Sequence, residues 1–373
     1  MISAKSELAE QAPWELLCEH GGNAQALAAA LAISSESLLD LSSAVSPFPY
    51  PLPPMPVDIL TQLPYGDGSV TGLAADCYGV EPEQLVAASG SQSLIQWLPR
   101  TRSRSRVLVP RVGYAEHAYW WTNEGHSCVA YDDIEQQALS RTIVSSGASV
   151  LVLIHPNNPT GAYISASDLE CWRACLPKDG LIVVDEAFID ATPAASLVSM
   201  LDMPGLIILR SVGKFFGLPG LRLGFALGAP ALIRRASEAL GPWPVSAPAL
   251  WAARQFFGDC RWQNDNRCRL LSLAEQQRAC LEQTLFRCLQ SSGKSSTADI
   301  RLVQTPLFSS LRMPHSEAKA LVSALLERRI AIRYYRQHPQ HAWLRIGLAT
   351  DIQRQQLEET LADIQAGLST CAI

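Results

Sequence analysis

Long apolar runs are absent from this 373-residue chain: nowhere do 18 apolar residues follow one another, so the sequence offers no membrane-crossing helix. Charge is sparse too, at 17% of residues with a formal net charge of −5. Without a basic excess there is no general affinity for nucleic acid or an anionic membrane, and neither is expected as a partner. The opening MISAKSELAEQAPWELL lacks the continuous apolar stretch of a signal peptide. No C-x-x-C pair occurs among the ten cysteines. Cys171 and Cys175, four apart around Trp172, fit one helix face without suggesting a metal site. Structural thiols in a reduced cytoplasm are therefore expected, with no metal. No internal repeat is visible, and 23 glycines with 24 prolines exclude a collagen-like chain.

What is present is a large core. The hydrophobic fraction of 48% excludes disorder, and chains of roughly 300 residues bury about 75% of their unfolded surface. Short apolar runs at Arg106–Val109, Ser149–Ile154, Leu181–Val184, Leu206–Leu209 and Leu221–Leu227 read as buried strands. Helix-like stretches such as Ser91–Leu98 and Ala115–Asn123 lie between them. That alternation predicts an α/β fold with a mainly parallel central sheet covered on both faces. After about residue 250 the texture changes. Trp251–Gln290, free of proline, reads as one or two long helices, and Ser291–Thr297 as a connector. Short strands around Leu302–Val303, Ile330–Arg333 and Trp343–Gly347, with helices at Ser316–Arg328 and Ile352–Ala366, predict a smaller α+β lobe. The boundaries expected are an arm and part of the small domain over 1–45, a large domain over 46–250 and a small domain over 251–373. The proline-rich Ser46–Pro56 must be extended and reads as a rigid crossing between lobes. Arg100–Arg106 (RTRSRSR) reads as a solvated loop, not a nucleic-acid segment, given the acidic total.

The chemistry-bearing residues cluster just after strand ends, where open α/β sheets bind ligands. In Ser211-Val-Gly-Lys214-Phe-Phe-Gly217-Leu-Pro-Gly220-Leu-Arg222-Leu-Gly224, a single lysine sits among glycines and apolar residues. Such a setting makes an amine nucleophilic. Ser211 and Arg222, at −3 and +8 from the lysine, suit one phosphate. A second segment, Ile154-His-Pro-Asn157-Asn158-Pro159-Thr160-Gly161, is a turn after a strand. A third, Leu181–Val184 followed by Asp185-Glu186-Ala-Phe188, ends a hydrophobic strand on a carboxylate. That placement is costly unless a cation, such as a pyridinium nitrogen, pairs with it.

Together the three segments resemble the fold type I pyridoxal phosphate enzymes, in their aspartate aminotransferase and histidinol-phosphate aminotransferase branch, from about residue 18 onward. The resemblance implies pyridoxal 5'-phosphate as cofactor, with Lys214 in Schiff-base linkage to its aldehyde. It implies further that Asp185 holds the ring nitrogen protonated, Asn158 donates to the phenolic oxygen, and Ser211 and Arg222 bind the phosphate. Ser89-Gly90-Ser91-Gln92, opening a helix, matches the family's phosphate cup, so Ser91 and Gln92 join the cofactor set. In Pro110-Arg-Val-Gly-Tyr114-Ala-Glu-His117, Tyr114 is the expected ring stacked on the cofactor, with His117 behind it. Arg345, in Trp343-Leu-Arg-Ile-Gly, matches the arginine that grips the substrate carboxylate. A homodimer is implied as well, because in this family the active site lies at a two-fold interface; Tyr65 is a candidate for the tyrosine lent by a neighbouring subunit. Phe188 departs from the tyrosine of many relatives and cannot donate to the phenolic oxygen.

Within that family, His20-Gly-Gly-Asn23, Asp40-Leu-Ser42 with Pro47, Leu218–Gly224 and Pro242-Trp-Pro-Val-Ser246 resemble the threonine-phosphate decarboxylases of cobalamin biosynthesis. These share the phenylalanine at 188. Ala44 and Ser46 differ from the asparagines common among them. The resemblance implies decarboxylation of L-threonine O-3-phosphate to (R)-1-amino-2-propanol O-2-phosphate. A phosphorylated amino acid needs two cationic anchors. Arg345 is expected at the carboxylate, and Arg333 with Arg336, aided by His20, Gly22 and Asn23, at the phosphate. The alternative is an aminotransferase acting on histidinol phosphate or an aromatic amino acid; a cofactor-binding protein without turnover is a third class. Lysine, aspartate and arginine serve lyase and transferase alike.

Overall fold

The computed structural model describes residues 13–19, 21–65, 68–132, 134–291 and 300–370. The chain divides into two compact units, one of Phe48–Cys268 and one of Met1–Pro47 with Arg269–Ile373. The first crossing falls in the proline-rich stretch, which among its described residues forms neither helix nor strand before Val57. The second falls inside the long helix Cys260–Ser291. The change of texture near residue 250 thus marks the onset of two helices, Ala247–Phe257 and Cys260–Ser291, and not the border of a unit.

The larger unit is built on a seven-stranded sheet. Read across it, the strands are Leu85–Ala88, Gly224–Gly228, Leu206–Ser211, Leu181–Asp185, Val150–Ile154, Arg106–Pro110 and Ser127–Tyr131. Only Gly224–Gly228 runs against its neighbours. The central strands VLVLI and LIVVD are buried at all five positions, as expected for strands covered on both faces. Leu94, Ile95 and Leu98 pack with Val107, Val150, Val152, Val183, Ile207 and Leu209 into one core on the sheet. Gly224–Gly228 begins later than the apolar run suggested, because Pro219–Leu221 forms a 3-10 turn and Arg222 is left-handed. Of the stretch Arg100–Arg106, the first two residues end the 3-10 turn Leu98–Thr101 and the last opens a strand; the loop between is pinned, since Arg100 pairs with Glu124 and Arg102 with Asp179.

In the smaller unit a four-stranded antiparallel sheet runs in the order Arg333–Tyr335, Ala342–Gly347, Phe308–Met313, Arg301–Gln304. One face is apolar. Leu311, Met313, Tyr334, Leu344 and Ile346 pack there with Val322, Leu325, Leu357 and Leu361 from the helices His315–Glu327 and Asp351–Thr370. Strand alternation puts Ser310, Arg333, Tyr335 and Arg345 on the opposite face. The connector expected at Ser291–Thr297 lies almost wholly outside the described residues.

Candidate active site

Three stretches distant in sequence meet at one end of the larger unit's sheet. Ser211 ends its strand opposite Gly224. Gly224 has no room for a side chain: an added Cβ would lie 2.4 Å from the Ser91 nitrogen and 2.8 Å from the Arg210 carbonyl oxygen. Glycine therefore lets the turn Gly90–Ser91, which opens the helix Ser91–Trp97, close onto the strand. Arg222 reaches the same turn, since a Cβ on Gly90 would come within 2.8 Å of its Nη2. Its backbone is left-handed (φ 54°), a conformation that costs most residues about 1–2 kcal/mol, and its Nη1 donates to the Pro219 carbonyl at 3.2 Å. Ser91, Ser211 and Arg222 are thus brought together. Gln92 is engaged otherwise: its Nε2 donates to Glu116 Oε2 at 2.6 Å, and its Oε1 accepts from the Tyr114 hydroxyl at 3.0 Å. Its side chain thereby ties Tyr114 to Glu116.

Asp185 closes the buried strand Leu181–Asp185 and is itself buried. Oδ1 accepts from the Ala187 N–H at 3.0 Å, and Oδ2 lies 2.9 Å from His117 Nε2. His117 is buried on the helix Glu116–Asn123, its ring edge-on to Tyr114 at 6.2 Å. The sequence placed His117 only as a second aromatic behind Tyr114, which precedes this helix. Asn158 is buried in the turn after Val150–Ile154. That turn is fixed by Asn157, whose N–H donates to the Ala162 carbonyl at 2.9 Å and whose Nδ2 donates to the Val112 carbonyl at 3.2 Å. Lys214 sits on the short helix Val212–Phe215, directly after Ser211, with Nζ 5.7 Å from the centre of the buried Phe188 ring.

The smaller unit carries the arginines. Arg345 and Arg333 are direct cross-strand partners and both are buried. Their guanidinium carbons lie 5.8 and 4.9 Å from the centre of the Tyr335 ring. Like charges opposed across two strands disfavour the fold; a bound anion would offset that. Burial pushes the Arg345 pKa down, and Arg333 adds to the effect. On the other side of Arg345, Ser310 is its partner, with a hydroxyl that is buried and makes no hydrogen bond among the described residues. Sequence reasoning missed Ser310, because Phe308–Met313 contains no apolar run. The expected pairing of Arg333 with Arg336 is corrected. Arg336 is exposed and lies over Trp14 at 5.2 Å, and Trp14 in turn meets Tyr334, on the opposite face from Arg333. Period-two alternation separates the two arginines. Asn23 is likewise taken up: its side chain caps the helix Ala24–Ala30 by accepting from the Ala26 N–H at 3.2 Å. Gly22 donates to Ser42 Oγ at 2.9 Å. His20 lies outside the described residues.

A family model described as aminotransferase class I and II matches residues 63–364. The chain belongs to that family. A threonine-phosphate decarboxylase of Pseudomonas aeruginosa is 37% identical over 90% of this chain and 94% of its own length. Another, from a Sinorhizobium species, is 32% identical over 89% of this chain and 93% of its own. In fold, the chain is similar to the crystal structure of a histidinol-phosphate aminotransferase from Sinorhizobium meliloti in complex with pyridoxal-5'-phosphate. That likeness has a TM-score of 0.71 at 22% identity, covering 84% of this chain and 85% of the other. Among the described residues no helix is long and apolar enough to cross a membrane, and no group of three or more His, Cys, Asp or Glu could hold a metal ion.

The residues present fit pyridoxal phosphate. The glycine-walled turn with Ser91, Ser211 and Arg222 is a cradle for a phosphate. Asp185, buried and held at both oxygens, is an acceptor suited to a protonated ring nitrogen.

Proposed function

We propose that this chain is a pyridoxal phosphate-dependent carboxy-lyase converting L-threonine O-3-phosphate to (R)-1-amino-2-propanol O-2-phosphate and CO2, for the nucleotide loop of cobalamin. The observation that carries the reading is the similarity, over nine-tenths of the chain, to a threonine-phosphate decarboxylase. The two buried arginines that face each other across neighbouring strands support it, since they suit a substrate with two anionic groups.

When bound, the cofactor supplies the electron sink that lets a bond at the substrate α-carbon break. Lys214 would hold it covalently, and Ser91, Ser211 and Arg222 would hold its phosphate. Asp185 keeps the ring nitrogen protonated, and His117 keeps Asp185 in place. Asn158 donates to the phenolic oxygen, a duty that Phe188 cannot share. Tyr114, oriented by Gln92, covers the ring. Arg345 grips the substrate carboxylate by a two-pronged contact and Arg333 takes the phosphate. Lys214 would also return a proton to the substrate α-carbon at the position that CO2 leaves.

In this reading the protein works in the cytoplasm as a homodimer. Val57 and Tyr65, 76% and 74% exposed, with Leu60, Leu63 and Trp243, offer apolar surface for a second copy. The functional test is a product assay. Given threonine phosphate and no keto acid, the loaded enzyme should release CO2 and aminopropanol phosphate. Amino-group transfer to 2-oxoglutarate without CO2 would replace this reading by an aminotransferase.

A further inference from the structure

We infer that Asp40 and Ser42 are positioning residues that set the arm of Arg345, a role that rests on the substrate reading above. The strand Leu39–Asp40 pairs in parallel with Ile330–Ala331. Just beyond it, the Leu41 N–H donates to the Ala331 carbonyl, and the Leu41 carbonyl accepts from the Gly347 N–H, both at 2.8 Å. These bonds lay the chain after Asp40 along the end of the strand Ala342–Gly347, which carries Arg345. There Asp40 Oδ1 accepts from the Ser42 N–H at 2.8 Å and from the Ser42 hydroxyl at 2.5 Å. The result is a tight turn closed by the aspartate side chain. With its proton committed to Asp40, the Ser42 hydroxyl accepts from the Gly22 N–H at 2.9 Å. The Ser42 carbonyl in turn accepts from Arg345 Nη2 at 2.5 Å.

Gly21 completes the arrangement. A Cβ there would lie 2.2 Å from the Ser42 carbonyl oxygen, so only glycine lets the N-terminal turn approach. The Gly21-Gly22 motif and the Asp40-Leu-Ser42 motif are therefore one device. It takes one N–H of the guanidinium and fixes the plane of the fork. A two-pronged grip on a carboxylate depends on that plane. Asp40 also opposes, by its charge, the downward push that burial and Arg333 exert on Arg345.

The test uses the full-length, cofactor-loaded enzyme and two ligands that differ only by the carboxylate: threonine phosphate, read by KM and kcat, and aminopropanol phosphate, read as a competitive inhibitor. Ser42→Ala should raise KM for threonine phosphate about tenfold, the scale of one charge-assisted hydrogen bond, and Asp40→Asn, which keeps the Oδ1 acceptor and loses only its charge, severalfold. Inhibition by the product, which has no carboxylate to grip, should stay within twofold. In an Arg345→Ala background, Asp40→Asn should add no further loss. Equal weakening of both ligands, or additive losses in the double variant, would overturn the inference and leave the turn a purely structural feature. If Asp40→Asn does not fold, Ser42→Ala, which leaves the main chain untouched, decides alone. If the wild type transfers amino groups and releases no CO2, the decarboxylase reading fails by itself. The same cycle is then read on the preferred amino acid against its decarboxylated amine.

Discussion

Replacing Asp185 by asparagine changes one charge at a site whose geometry the variant can keep. The residue is 4% exposed, its Oδ1 accepts from the Ala187 N–H at 3.0 Å, and its Oδ2 faces His117 Nε2 at 2.9 Å. In Asp185→Asn the amide oxygen can retain the Ala187 bond, and the amide nitrogen can donate to His117 once the imidazole carries its proton on Nδ1. The fold and the cofactor cradle should survive, and a melting curve should move by only a few degrees. What is lost is the anion that holds the ring nitrogen protonated. The loss of a charge-assisted hydrogen bond alone is worth about 1.5–3 kcal/mol, or roughly 10- to 150-fold. A buried group aimed at developing charge counts for more, about 10² to 10³ in kcat. The assay is steady-state CO2 release, alongside the visible absorbance of the bound cofactor. A variant that keeps its cofactor and turns over within threefold of wild type would refute the role given to Asp185.

Asn158→Ala should weaken cofactor retention about tenfold on dialysis, because Phe188 offers no second donor to the phenolic oxygen; Phe188→Tyr in that background should recover part of the loss. Gly224→Ala should destabilise the larger unit by about 1–3 kcal/mol and release the cofactor, since its Cβ would sit 2.4 Å from the Ser91 nitrogen; wild-type retention would contradict the cradle. Borohydride reduction of the loaded enzyme should label Lys214 and none of Lys5, Lys178, Lys294 or Lys319, the other lysines of the chain.

Much of this was legible in the sequence because the large unit writes its sheet in plain apolar runs. Val150–Ile154 and Leu181–Asp185 are buried throughout and Leu206–Ser211 at all but its last position, and the residues with chemistry follow at their ends. The small unit is less legible. Its sheet is half polar on purpose, so Phe308–Met313, with Ser309, Ser310 and Arg312, carries no apolar signature even though it runs beside Arg345. Sequence proximity also misled at Arg336, three residues from Arg333 and on the other face of the chain. Contacts between distant segments were out of reach altogether. Nothing local says that His117 meets Asp185, or that Gly21 must be small because the Ser42 carbonyl lies against it.

The central claim concerns which bond at the α-carbon breaks, and an isotope experiment reads that bond directly. Threonine phosphate labelled with ¹³C in the carboxylate is incubated with the loaded enzyme in D2O, with no keto acid, and followed by NMR. The account predicts that all the label leaves as CO2 and bicarbonate, and that aminopropanol phosphate appears with one deuterium on C1 in place of the carboxylate. Label retained in the substrate, with deuterium exchanged at the α-carbon and the amino group passed on when 2-oxoglutarate is supplied, would contradict it.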